Sequence, residues 1–99
     1  MTISISEFDY GNRKYIFNTP IEIIVNSDNR GQYKMSNEYF EIYSRGETEK
    51  IAFKNFKTHF VIAYNIYRNG YFGHLAQSLQ DLQTKFFDDV KISRKRVKQ

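Results

Sequence analysis

Tyr39-Phe40-Glu41-Ile42-Tyr43-Ser44-Arg45-Gly46-Glu47-Thr48 carries the chain from one hydrophobic period into another. Up to Ser44, large apolar residues alternate with polar ones, the period of a strand with one buried face. Gly46 permits a positive φ at the end of that strand, and the Thr48 hydroxyl is placed to accept an amide of the first helical turn, worth about 1 kcal/mol. Beyond Glu49 the spacing becomes helical. At 100° per residue, Ala52, Ala63, Phe56, Tyr67, Phe60, Phe53 and Tyr64 fall within an arc of about 120°. Lys50, Lys54 and Lys57 fall opposite, as a solvated face requires, and Asn69-Gly70 supplies a left-handed stop. Glu47 and Glu49 occupy the amides at the helix start, so no anion site is expected there.

Working toward the N-terminus, Ile3, Ile5 and Phe8 with interleaved Ser predict a first strand. Gly11-Asn12 then marks a turn before Lys14-Tyr15-Ile16-Phe17. Asn18-Thr19-Pro20 forms an extended corner, after which Ile21, Ile23 and Val25 share one side of a strand and Glu22, Ile24 and Asn26 the other. Ser27-Asp28-Asn29-Arg30-Gly31 is a dense turn cluster, followed by a short strand from Gln32 to Met35 and a turn at Ser36-Asn37. Tyr39 to Ser44 completes an antiparallel meander.

Working toward the C-terminus, Ile51, Ile62 and Ile66 lie on one flank of the first helix, outside the aromatic arc. Leu75, Leu79, Leu82, Phe86 and Val90 recur at helical spacing and span about 80° of a wheel, predicting a second helix. Gln77, Gln80, Asp81, Thr84 and Asp88 form its polar side, and Ser78 with Asp81 suits a cap. The Ile51, Ile62, Ile66 edge is its expected partner, with Tyr71 to His74 as a short link. The expected fold is therefore α+β in two layers: a four- or five-stranded, mainly antiparallel meander followed by two C-terminal helices. It occupies residues 1–90 as one domain, with 91–99 as a basic, disordered tail.

Composition narrows the function classes. The 99 residues suffice for one core, and nine Phe and eight Tyr with no Trp and no Cys make that core aromatic. The lack of Cys excludes a thiol nucleophile and a cysteine-ligated metal. No apolar run reaches the ~20 residues of a membrane span, and Met1 to Glu7 lacks a secretory pattern, so a cytoplasmic protein with no membrane contact is expected. The net charge of +4 is unevenly held. Residues 1–90 carry ten Lys or Arg against eleven Asp or Glu, whereas Lys91, Arg94, Lys95, Arg96 and Lys98 crowd the end.

The run from Tyr39 to Thr48, followed by Ala52, Phe56 and Tyr64, resembles the HicB-like antitoxin pattern, in which a strand leads through a Gly-x-Thr turn into a helix with a spaced Ala and Phe. It is more similar still to small proteins related to that group, in which Phe17-Asn18-Thr19-Pro20-Ile21 precedes the second long strand. Leu75, Leu79, Leu82, Lys85, Phe86, Phe87 and Val90 match their closing helix. The resemblance spans roughly residues 15–90. It implies a small sheet backed by a helix that binds and neutralises a partner toxin or self-associates. Family antitoxins commonly carry a separate DNA-binding domain; after Val90 only nine residues remain, so transcriptional control is not expected from this segment.

No catalytic constellation is read from the residues. His59 lies beside the core arc and His74 in the interhelical link, with no nucleophile patterned around either. Asp88 and Asp89 point about 100° apart on a helix, and Glu7, Glu22 and Glu41 lie on separate expected strands, so neither set predicts a metal site. A non-enzymatic binding module without cofactor is expected. A sheet backed on one side leaves its other face open, and Tyr33, Tyr39, Glu41 and Tyr43 are the expected partner-binding residues there, for docking a protein or for homodimerisation. A phage or mobile-element inhibitor of a host protein has the same appearance at this level. Weak nucleic-acid binding through Lys91, Arg94, Lys95, Arg96 and Lys98 is the second alternative.

Overall fold

Thr2–Tyr10 and Arg13–Ser27 form the antiparallel strands β1 and β2 in the computed structural model, which describes residues 1–69 and 77–94. Tyr33–Asn37 is β3 and Ile42–Gly46 is β4, and the two form a hairpin. Glu49–Asn69 and Gln77–Asp89 are helices α1 and α2, after which Val90–Arg94 returns to the sheet as β5. The sheet runs β1-β2-β3-β4, all antiparallel, and β5 joins it beside β2. The expected α+β architecture of a meander followed by two helices is what the chain adopts. Gly70, the link Tyr71 to His74, Leu75, Lys95, Arg96 and Lys98 lie outside the described residues.

The long strand β2 organises the rest. One edge pairs with β1, with Ile23 opposite Ile3 and Tyr15 opposite Phe8. The second edge is shared: Arg13 to Phe17 pair with β5, and Ile24 to Ser27 pair with β3. Between those stretches the strand bulges. Ile21 faces Ile5 and Ile16 faces Glu7, so Phe17 to Pro20 stand against Ser6 alone. The exposed Asn18-Thr19-Pro20 corner read from the sequence is this bulge, and Pro20 suits it because a proline donates nothing to a ladder.

Aromatic rings fill the space between sheet and helices. Phe60 of α1 is fully buried and meets Phe8, Phe17, Phe40 and Phe86 at centroid separations of 5.3 to 5.4 Å. Each edge-on or tilted pair adds about 0.5–1.5 kcal/mol to the burial itself. The seven residues of the expected arc behave as a core stripe: Ala52, Phe56, Phe60 and Tyr64 are buried, and Phe53, Ala63 and Tyr67 pack against them. Val61 is buried too, although its position is off the arc.

The α1 flank behaves differently from expectation. Ile51, Ile62 and Ile66 remain 42%, 53% and 55% exposed, so α2 does not cover them. Instead Phe86 of α2 sits among Phe40, Phe60, Tyr64 and Tyr67, with the Tyr67 ring stacked on it at 5.3 Å. Aromatic area outcompetes the aliphatic edge for the one available helix face.

The C-terminal segment is the second departure. Residues 91–94, expected in a disordered tail, form β5, and Val90 opens that strand rather than ending α2. Val90 is buried and Ile92 packs on the core beside Tyr15, an alternation that the flanking basic charges obscure in the sequence.

Gly46 is the third. Positive φ values occur at Gly11, Gly31 and Glu41, not at Gly46. What Gly46 provides is close approach: a Cβ there would stand 2.3 Å from the Ala52 amide nitrogen. Thr48 does cap the helix, its Oγ1 accepting the Ile51 amide at 3.1 Å.

Candidate functional site

Tyr39 and Phe40 belong to the β3–β4 turn rather than to a strand, and this relocates the expected site. Asn37, buried at the end of β3, closes the turn from within. Its Oδ1 accepts the Phe40 amide at 2.8 Å, and its Nδ2 donates to the Glu22 carbonyl at 2.9 Å. One side chain thereby ties the hairpin to the stretch of β2 that neither β3 nor β5 pairs. Glu41 takes φ 55° to complete the reversal, Phe40 drops into the core, and Tyr39 is left outside it.

Tyr39 is 45% exposed yet held on three sides. Its ring meets Phe40 edge-on at 4.9 Å, the Lys85 ammonium lies 4.5 Å from its centroid, and its hydroxyl donates to Asp89 at the end of α2. The hydrogen bond to Asp89, then burial and the carboxylate charges of Asp89 and Asp88, push the phenol up to about 12. Beside it opens a groove of about 540 Å³, lined by Pro20, Glu22 and Ile24 of β2, by Asn37 and Tyr39, and by Asp89. Glu38 adds a third carboxylate to walls that are otherwise largely apolar.

The other expected residues do not converge on this groove. Tyr33 is half-buried against the core, since its place on β3 turns it toward the helices. Tyr43 is 60% exposed on the opposite sheet face, with Ser36 across from it and Ile24, 39% exposed, one strand further. Glu41 lies in the turn. The expected outward cluster of Tyr39, Glu41 and Tyr43 therefore does not form, because the alternation continues through a turn where strand periodicity no longer applies. Glu22 and Asp89 were not expected in a binding role; the Asn18-Thr19-Pro20 corner was the signal that β2 is interrupted beside them.

Two charged features lie elsewhere. Glu7 pairs with Lys14 at 3.0 Å across β1 and β2, far in the register from Glu22. Among the described residues, no three or more His, Asp or Glu are grouped to hold a metal ion. On the β5 side, Arg94 stands opposite Arg13, and a second cavity of about 620 Å³ is lined by Arg13, Asn65, Arg68 and Lys91. No helix among the described residues is long and apolar enough to cross a membrane.

The chain matches no protein-family model, no curated protein and no solved structure.

Proposed function

We propose that this protein is a non-enzymatic binding module of antitoxin-like type, which docks a basic partner protein in the groove beside Tyr39. The observation that carries the reading is an exposed aromatic already fixed by Phe40, Lys85 and Asp89. Aromatic anchors dominate interface energetics, and a side chain ordered in advance loses little freedom on binding. Glu22, Glu38 and Asp89 around the groove favour a partner of positive charge, which suits a small basic toxin better than an acidic host protein. The resemblance to HicB-like antitoxins points the same way. Quantitative affinity capture from the source cell should recover a basic protein with the wild-type chain and lose it with Tyr39→Ala and with Glu38→Lys. Equal recovery by both variants, each melting as wild type does, overturns the reading.

The basic cluster of Arg13, Arg68, Lys91 and Arg94 supports a second reading, weak nucleic-acid binding through phosphates. Like charges opposite each other in a ladder are unfavourable unless an anion joins them. Such binding should weaken steeply with salt and fall on Arg13→Ala plus Arg94→Ala, while Tyr39→Ala leaves it unchanged. Binding indifferent to both salt and those arginines excludes it.

A further inference from the structure

The end of α1, the start of β2 and the end of β5 bring arginines to one corner of the fold. Tyr15 of β2 is buried and stands opposite Ile92 of β5, which packs on the core. Side chains alternate along a strand, so Arg13 and Arg94, the next pair on that face, also project to the helix side. The buried Tyr64 of α1 meets the Tyr15 ring edge-on at 5.7 Å, and Arg68 follows it by one helical turn. Strand and helix thus each supply an arginine next to the last core ring. The cavity of about 620 Å³ has Val90 and Ile92 as apolar walls, and Arg13, Asn65, Arg68 and Lys91 line the rest.

No carboxylate is among these lining residues, and among the described residues Arg13, Arg68, Lys91 and Arg94 form no ion pair. Two guanidiniums opposite each other in a ladder repel until an anion joins them. Arg68 is placed in advance, its guanidinium 5.2 Å from the Phe87 ring centroid. A guanidinium over a ring uses its face there and keeps its in-plane N–H groups for an acceptor. Tyr10 stands opposite Arg13 across β1 and β2, two residues beyond the buried Phe8 on the same face, and is 37% exposed. Tyr10, Arg13 and Arg94 therefore form a row over three strands, with about 5 Å between neighbouring strands.

We propose, on the reading of this cluster as a phosphate site, that the cavity takes the phosphate monoester of a nucleotide, with the base stacked on Tyr10. A backbone phosphodiester brings a single charge, whereas a monoester brings about 1.5 to 2 charges on three acceptor oxygens. Arginine forks bind such oxygens two at a time. Arg13, Arg68 and Arg94 present more charge than a diester or one carboxylate neutralises, and a monoester is the compact group that answers them. The aromatic one strand away selects a nucleotide among phosphate esters, because every base has a face to stack. A free nucleotide and the phosphorylated end of a single strand share this chemistry.

Fluorescence anisotropy on the full chain compares short single strands, labelled internally, that carry a 5′-phosphate, a 3′-phosphate or neither. One phosphorylated strand should bind at least about tenfold more tightly than the strand with neither. Arg13→Ala combined with Arg68→Ala, both at exposed positions, should abolish that preference at an unchanged melting temperature. Arg68→Lys, which keeps the charge and loses the fork, should reduce it. Tyr10→Ala should weaken displacement of the strand by a nucleoside monophosphate several-fold and leave displacement by inorganic phosphate as it is. Displacement by the mononucleotide at concentrations comparable to the strand makes the free nucleotide the ligand, and displacement only at large excess makes it the strand end; either supports the site. Measurable and equal binding of all three strands overturns the proposal while backbone phosphate binding stands, and no binding of any strand or of the mononucleotide overturns both. A preference that survives in the folded double variant overturns the proposal as well, as does a Tyr10→Ala chain that takes the mononucleotide as wild type does. So does a glutamate-rich peptide that displaces the strand as well as the mononucleotide.

Discussion

Replacing Gly46 with Ala should damage this fold more than any other single methyl group added at a described glycine. The new Cβ would lie 2.3 Å from the Ala52 nitrogen and 2.8 Å from the Ala52 Cα and the Ile51 carbonyl carbon. All three are backbone atoms, so no rotamer change relieves the contact, and α1 must retreat by roughly 1 Å to reach ordinary separation. That retreat stretches three hydrogen bonds now at 2.6 to 2.9 Å: Ser44 to Ala52, Asn55 to Arg45 and His59 to Tyr43. Ser44 is buried, so its bond contributes about 1 kcal/mol, whereas the two solvent-exposed bonds contribute less. Adding about 1–3 kcal/mol for overpacking gives a loss near 3 kcal/mol, or roughly 15 °C in melting temperature for a domain of this size. Urea denaturation and a thermal melt followed by circular dichroism would measure it. Gly11→Ala is the control, since Gly11 has φ +61° and nothing within 4 Å of a Cβ, so only backbone strain of about 1 kcal/mol opposes it. If Gly46→Ala costs no more than Gly11→Ala, close approach is not what requires the glycine.

Three further outcomes follow from the same geometry. Asn37→Ala leaves the Phe40 amide and the Glu22 carbonyl without partners and should cost about 2–3 kcal/mol, while Asn37→Asp keeps the first bond but sets a carboxylate against the carbonyl; wild-type melting of both variants would refute the role given to this side chain. Tyr39 is neutral when folded up to about 12, above the ordinary phenol near 10, so its contribution to stability is complete below pH 10 and lost as pH rises through 12. Ultraviolet titration of the phenolates should therefore show a late-ionising tyrosine that moves down in Asp89→Asn, and an identical titration in that variant would exclude Asp89 as the cause. Ile62→Lys and Ile66→Lys place charge on a flank already exposed by half and should change stability by under about 0.5 kcal/mol; a loss of several times that would mean the flank is covered.

The layer order, the aromatic stripe of α1 and the interruption of β2 were legible because each rests on local periodicity or on proline. Helical spacing fixes which rings of α1 share a face whatever they pack against, and Asn18-Thr19-Pro20 breaks a ladder in any context. What was not legible depends on contacts distant along the chain. Tyr39-Phe40-Glu41-Ile42-Tyr43 alternates as a strand does, but its first half is a turn, because Asn37 takes the Phe40 amide and reaches β2. Lys91 to Arg94 carry the charge of a tail, but the unfilled edge beside Arg13 to Phe17 accepts them. Gly46 was recognisable as necessary, yet its reason, an approaching helix backbone, exists only in three dimensions. The expected site suffered most, since assigning Tyr39 and Tyr43 to one face required the register of a strand that does not extend that far.

The groove has its cause in the length of β2. A strand of fifteen residues is too long for partners of five, so β3 and β5 divide its second edge and leave a gap between them. A gap in a sheet exposes backbone groups, which must be satisfied or left to water. Asn37 meets that demand at the Glu22 carbonyl, and the Asn18 side chain ties the other end of the gap to α2 by donating to the Asp88 carbonyl. Asp88 and Phe40, which these two asparagines hold, are the chain neighbours of Asp89 and Tyr39, whose own hydrogen bond lies at the groove. Its position is thus stiff without being filled, the condition under which a surface aromatic can anchor a partner at little entropic cost. β1 is matched to β2 along most of its length, broken only where the bulge of β2 stands against Ser6.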